Sequence, residues 1–170
     1  SKLENVTHVK PDSDDEYVFT ALVWEDDFNT DGAPDSSKWT YDLGTTDIFG
    51  NNGWGNQEAQ SYTDNAENVI VESGSLKITA KKEGNDYTSA RIKTQGLYDF
   101  TYGRVEVRAK LPSAQGTWPA IWMLGSNHPT VGWPSSGEVD IMEQRGNDKS
   151  YVEGTCHWYN TAGSNNASYG

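Results

Sequence analysis

Basic residues are scarce in this chain: Lys and Arg total 13 against 25 Asp and Glu in 170 residues, a formal net charge of −12 at pH 7. Nucleic-acid binding needs a basic footprint that displaces counterions from phosphates, and here the sign is reversed. The anionic surface of a membrane leaflet would repel the chain as well. Long apolar runs are also missing, and nothing approaches the roughly 18 consecutive residues that span a bilayer as a helix. The expected partners therefore include no nucleic acid and no membrane. Cysteine is nearly absent. Cys156 stands alone, which excludes an intramolecular disulfide, and without a His-Asn context it reads as a buried structural thiol rather than a nucleophile. Helical periodicity is missing too: no stretch of about 11 residues or more carries an i, i+3, i+4, i+7 apolar stripe.

What is present is aromatic and turn-rich. Hydrophobic residues reach only 34%, yet the chain has seven Trp and nine Tyr, a composition foreign to disordered segments. Residues 1–20 read as a polar lead-in, with Asp12, Asp14, Asp15 and Glu16 close together. From Leu22 onward, short alternating runs follow. Leu76–Lys81, Arg91–Thr94 and Val105–Leu111 each place every second residue on one face, the pattern of half-buried strands. Asp31-Gly32, Asn52-Gly53, Ser73-Gly74 and Glu83-Gly84 supply turns between them. Many short strands with turns between them predict an all-β sandwich. Trp118–Leu124 reads as a further strand, with Pro119 at its start, at an edge or at a bulge. Period two puts Trp118, Ala120, Trp122 and Leu124 on one face, which suits either a core or a platform for a flat ligand.

The segment Gly137-Glu138-Val139-Asp140-Ile141-Met142-Glu143-Gln144 carries the strongest chemical signal. Its apolar residues are strand formers, with Val139 and Ile141 toward the core and Glu138 and Asp140 together on the other face. Glu143 lies five positions after Glu138, which in a regular strand would turn it inward. A β-bulge around Ile141-Met142 adds the extra residue that brings Glu143 back beside the other acids. Three neighbouring carboxylates repel one another and do nothing for a sheet, so they form either a solvated acidic face or a catalytic set. The catalytic reading is glycoside hydrolysis, in which one carboxylate attacks the anomeric carbon and another protonates the leaving oxygen. Negative neighbours keep that second group protonated near neutral pH. Other chemistries lack their motifs. No Asp-x-Asp-x-Asp-Gly loop cages calcium, no His pair has zinc-ligand spacing, and no Gly-x-Ser-x-Gly elbow or phosphate-binding glycine loop is present.

Glu138-Val139-Asp140-Ile141-Met142-Glu143 resembles the signature of glycoside hydrolase family 16 in the bulged form Glu-x-Asp-x-x-Glu of its laminarinase-like branch. Further segments resemble the same branch in the same order over residues 20–160: Val23–Asn29, Asn52–Glu58, Gly103–Lys110, Gly116–Leu124 and His157-Trp158. The resemblance implies a jelly-roll β-sandwich of two antiparallel sheets with a concave glycan-binding cleft. It implies retaining endo-hydrolysis of β-1,3-glucan, with Glu138 as nucleophile, Glu143 as acid/base and Asp140 tuning the nucleophile. It also implies Trp118 and Trp122 as stacking surfaces for pyranose faces, and Asn52, Arg91 and His157 as partners for sugar hydroxyls. Trp24 and Trp39 read as core, Trp54 and Trp133 as loop residues at the cleft rim. No cofactor is required for the reaction. A structural calcium ion would lie on the convex side, near Asp27 and the Gly74 carbonyl.

Family domains continue for several strands beyond the His-Trp segment. Residues 21–170 are therefore expected to be the N-terminal and central part of one catalytic sandwich, with the remaining strands on a complementary C-terminal fragment. A polymeric substrate implies a secreted or extracellular setting, cell-surface and periplasmic locations included. Rival readings are a non-catalytic β-glucan-binding module, which has no need of all three acids, and same-fold hydrolases of mixed-linkage glucan or galactans.

Overall fold

The computed structural model describes residues 2–4, 21–160 and 164–169. The described residues are all-β apart from one turn of α-helix, α1 (His128–Val131), and a 3-10 turn at Gly53–Gly55. No helix among them is long and apolar enough to cross a membrane. The chain divides into two compact units, residues 1–108 and 109–170.

The first unit holds β1 (Lys2–Glu4), β2 (Leu22–Glu25), β3 (Thr40–Asp42), β4 (Gln60–Tyr62), β5 (Val69–Val71), β6 (Leu76–Ile78), β7 (Lys81–Glu83), β8 (Asp86–Ser89), β9 (Arg91–Lys93) and β10 (Arg104–Glu106). β1 lies between β2 and β10, so the start of the expected lead-in contributes a strand; residues 5–20 lie outside the described residues. β3 pairs with β9, β5 with β6 and β7 with β8, all antiparallel, whereas β4 joins β8 in parallel. Ser73 and Gly74 both have positive φ (54° and 71°), the geometry of a two-residue hairpin turn, and they close β5 onto β6.

Four of the expected strands are shorter than their alternation suggests, Arg91–Thr94 by one residue and Trp118–Leu124 by the two residues before Ala120, and the other two by more. Leu76–Lys81 breaks at Thr79-Ala80, where Asn68, 3% exposed, draws the Thr79 carbonyl to its side-chain amide while its backbone carbonyl accepts the Thr79 N–H. Val105–Leu111 is strand only as far as Glu106, since the partner of β10, β1, is itself three residues long.

The core of this unit is formed by Val69, Val71 and Ala90. Beside it Trp24 meets Trp39 edge-on at 5.4 Å and stacks on Tyr98 at 5.6 Å. Asp26 is buried and accepts the Trp39 indole N–H at 2.8 Å and the Phe28 N–H at 2.9 Å, with Lys38 Nζ at 3.8 Å. Removing its carboxylate strands these donors, so Asp26→Ala is expected to lower stability by about 2 kcal/mol. The check is a urea melt, in which the midpoint falls at unchanged slope; an unmoved midpoint would contradict the role given to Asp26.

The second unit is an antiparallel four-stranded meander of β11 (Ala120–Leu124), β12 (Glu138–Arg145), β13 (Asp148–Asn160) and β14 (Ser164–Tyr169). Pro119 immediately precedes β11, where its missing N–H costs no ladder bond. Gly146 begins the tight turn from β12 to β13. A Cβ there would sit 2.0 Å from the Ala114 carbonyl oxygen, so only glycine admits the approach of that segment. The expectation of a buried Cys156 is corrected: the thiol is exposed. Strand alternation turns Cys156 away from the acids together with its partner Val139, and that face is open, with Val139 40% exposed rather than in a core.

Candidate active site

β12 carries all three acids, and its ladder with β11 shows how they come to share a face. Leu124 faces Glu138, Trp122 faces Asp140 and Ala120 faces Glu143, while Met123 and Ile121 face Val139 and Met142. The register slips by one residue between Ile121 and Trp122, leaving Ile141 as the extra residue. The predicted bulge is therefore present, and it returns Glu143 to the side of Glu138 and Asp140. On the other edge, His157, Thr155 and Glu153 of β13 lie opposite Glu138, Asp140 and Glu143.

Asp140 is the most enclosed of the three, at 5% exposure. His157 Nε2 lies 3.0 Å from its Oδ2 and 3.9 Å from Glu138 Oε1. The other ring nitrogen, Nδ1, is buried without a hydrogen-bond partner. An ionised Asp140 thus takes the Nε2–H tautomer, because a buried bare acceptor at Nδ1 is less costly than a buried unpaired N–H. Burial first, then the charge and hydrogen bond of Asp140, push Glu138 up to about 7, partly offset by a hydrogen bond from Trp133. The Trp133 ring, 5.8 Å from that of His157, stands over the same corner.

Glu143 sits differently. Its carboxyl is also raised, by burial and by the charge of Asp140, and Glu153 adds a smaller push. Trp118 and Arg145 oppose this. The Trp118 indole N–H donates to Glu143 Oε1 at 2.7 Å, and the Arg145 guanidinium lies 4.2 Å from the Trp118 ring centroid. The stronger upward push falls on Glu138, not on the expected acid/base. Glu138 has Asp140 bonded beside it and Glu143 does not, so the size of the push does not by itself assign the roles of the two glutamates.

Of the predicted residues, Glu138, Asp140, Glu143, Trp118, Trp122 and His157 all belong to the second unit, and the ladder brings the acids, Trp122 and His157 to one face. Asn52 and Arg91 belong to the first unit. Asn52 is an exposed turn residue before the 3-10 turn. Arg91 lies over the rings of Trp54 and Tyr62, at 4.8 and 5.3 Å, with the Asp42 carboxylate at 3.8 Å. Two charged neighbours of Glu143 escaped the sequence reading. Arg145 was visible as the next same-face position after it; Glu153 needed the pairing of β13.

The ligand atoms of Glu138, Asp140 and His157 lie within 4.8 Å of one another, and no other cluster of three such side chains occurs among the described residues. Asp27 is exposed and belongs to no such cluster. With the Gly74 carbonyl its side chain would supply at most three of the six to eight oxygens that calcium takes, so these residues do not by themselves complete that cage.

The family model described as glycosyl hydrolases family 16 matches residues 56–169. The "Beta-glucanase" of Rhodothermus marinus is 48% identical over 153 residues, covering 86% of this chain and 51% of that protein. A laminarinase structure from Flavobacterium sp. UMI-01 superposes with a TM-score of 0.76 at 48% identity, over 88% of this chain and 64% of that one. A LamA variant of Z. galactanivorans in complex with laminaritriose and laminaritetraose gives 0.75 at 39% identity, over 89% and 66%. The chain thus spans about half the length of the curated relative and shares the jelly-roll fold of the solved ones.

Proposed function

The chain belongs to family 16 of the glycosyl hydrolases, and from that premise we propose that it carries the catalytic centre of a retaining endo-β-1,3-glucanase of laminarin-type glucans. The observation that carries this reading is the bulged strand β12, which turns three carboxylates to one face and surrounds them with Trp118, Trp122, Trp133 and His157.

Glu138 acts as the nucleophile. The proton on Glu138 passes to its hydrogen-bond neighbour Asp140, which leaves an anion facing the anomeric carbon. Glu143, whose protonated form burial and the charge of Asp140 favour, gives its proton to the glycosidic oxygen as the C–O bond breaks. The glycosyl ester on Glu138 is then opened by water, whose proton returns to Glu143, and the product keeps the β configuration. These two displacements balance without a cofactor. Indole faces suit the apolar faces of pyranose rings. The remaining strands of the domain, expected on a complementary C-terminal fragment, and an extracellular polymer as substrate complete the proposal.

Proton NMR of an unbranched β-1,3-glucan digest is the test. The β-anomer of the new reducing end is expected to appear first and the α-anomer later, by mutarotation. Early α-anomer would overturn retention, and an untouched polymer would overturn the glucanase reading.

A further inference from the structure

Trp118 lies outside β11, yet its indole is aimed. Two backbone bonds fasten the segment that carries it to the end of β12: Gln144 N–H to the Pro119 carbonyl at 3.2 Å, and Gly146 N–H to the Thr117 carbonyl at 2.8 Å. The glycine at 146 allows Ala114 and Thr117 to close in on that turn. Trp118 is 39% exposed and borders a cavity of about 340 Å³ lined by Gln115, Gly116, Thr117, Arg145 and Asn147. Close packing therefore does not fix its orientation. What lies over the ring is the guanidinium of Arg145, 4.2 Å from its centroid. A planar cation on the ring face attracts the π cloud and holds the plane in place.

Resting on the reading of Glu143 as acid/base, we propose that Arg145 is a positioning residue: stacked on Trp118, it holds the indole N–H on Glu143 Oε1, so that Oε2 is the oxygen that carries the catalytic proton. The family resemblance implies Trp118 as a stacking surface for the sugar. In this arrangement its N–H serves the acid, and one ring face belongs to Arg145. A donor fixed on one carboxyl oxygen also stabilises the anion that remains after proton transfer. The charged groups facing Glu143 are Asp140 and Arg145 on its own strand and Glu153 on β13, while β11 presents Ala120. Arg145 is the cation among them, so its loss moves the titration of Glu143 upward.

The test follows the indole ¹⁵N–¹H resonance of Trp118, assigned by its disappearance in Trp118→Phe, through a pH titration beside the pH profile of kcat/KM on β-1,3-glucan. The resonance is expected to titrate with Glu143 and to stop doing so in Glu143→Gln. In Arg145→Met the midpoint should rise by about half a pH unit or more, the alkaline limb of kcat/KM should follow it, and kcat should fall about tenfold. Arg145→Lys, which keeps the charge without the planar fork, should fall between, and it gives the same readout if the Met variant does not fold. An unmoved midpoint in both variants, even with a lowered melting temperature, would overturn the proposal by reducing Arg145 to a packing role. A raised midpoint in a protein that cleaves no glucan would uphold the positioning of Glu143 and overturn the glucanase reading.

Discussion

Glu138→Gln is expected to lower kcat on β-1,3-glucan by about a thousandfold or more while making the protein more stable at alkaline pH. The two effects have one origin. In the folded chain Glu138 titrates near 7, above its ordinary value of 4.5, chiefly because it is buried beside Asp140. A carboxyl raised on folding stabilises the native state below its unfolded pKa, and that contribution is lost as pH rises through the folded one. Gln resembles the protonated form at every pH. The variant should therefore match the parent near pH 4 and exceed it near pH 8, by about 1–2 kcal/mol after discounting for solvent reaching the carboxylate. Chemical denaturation at the two pH values, beside initial rates, measures both. Wild-type turnover would remove Glu138 from the mechanism, and parallel stability curves would contradict its raised titration.

Glu143→Ala should separate the two half-reactions. Polysaccharide cleavage needs a proton on the leaving oxygen and is expected to fall by about a hundredfold or more. A dinitrophenyl β-laminaribioside leaves without protonation, so its first step survives and the glycosyl ester accumulates. Added azide should then restore turnover: its nitrogen bonds to the anomeric carbon, the ester C–O bond breaks, and Glu138 is released as carboxylate. The product is the β-glycosyl azide. With Glu138→Ala, azide instead enters the space the nucleophile has left and gives the α-azide in one step. If the variants gave the opposite anomers, the roles of Glu138 and Glu143 would have to be exchanged.

The acid-bearing strand was legible in the sequence because two signals agreed there: alternation fixed the face of Glu138 and Asp140, and the odd spacing of Glu143 required a bulge. Hairpin turns such as Ser73-Gly74 were legible because positive φ at both positions restricts the choice of residue. Pairing partners were not. Nothing local announces that His157 falls opposite Glu138, or that β4 joins β8 in parallel. Alternation also overstated strand length wherever a side chain competed for the backbone, as Asn68 does at Thr79. It overstated burial at Val139, since period two tells one face from the other but not which face is covered, and the same open face exposes Cys156, which its type alone had suggested was buried.

The surplus residue at Ile141 separates spacing along the chain from spacing in the sheet. The rungs before it, at Glu138 and Asp140, and the rung after it, at Glu143, meet the neighbouring strands as they would without it. Removing one residue there would shorten the sequence while leaving each acid on its present face, so a strand of this kind absorbs an insertion or deletion without rebuilding its neighbours. Position numbers counted along related chains lose step at that point, and only the rungs of the ladder tell which carboxylate corresponds to which.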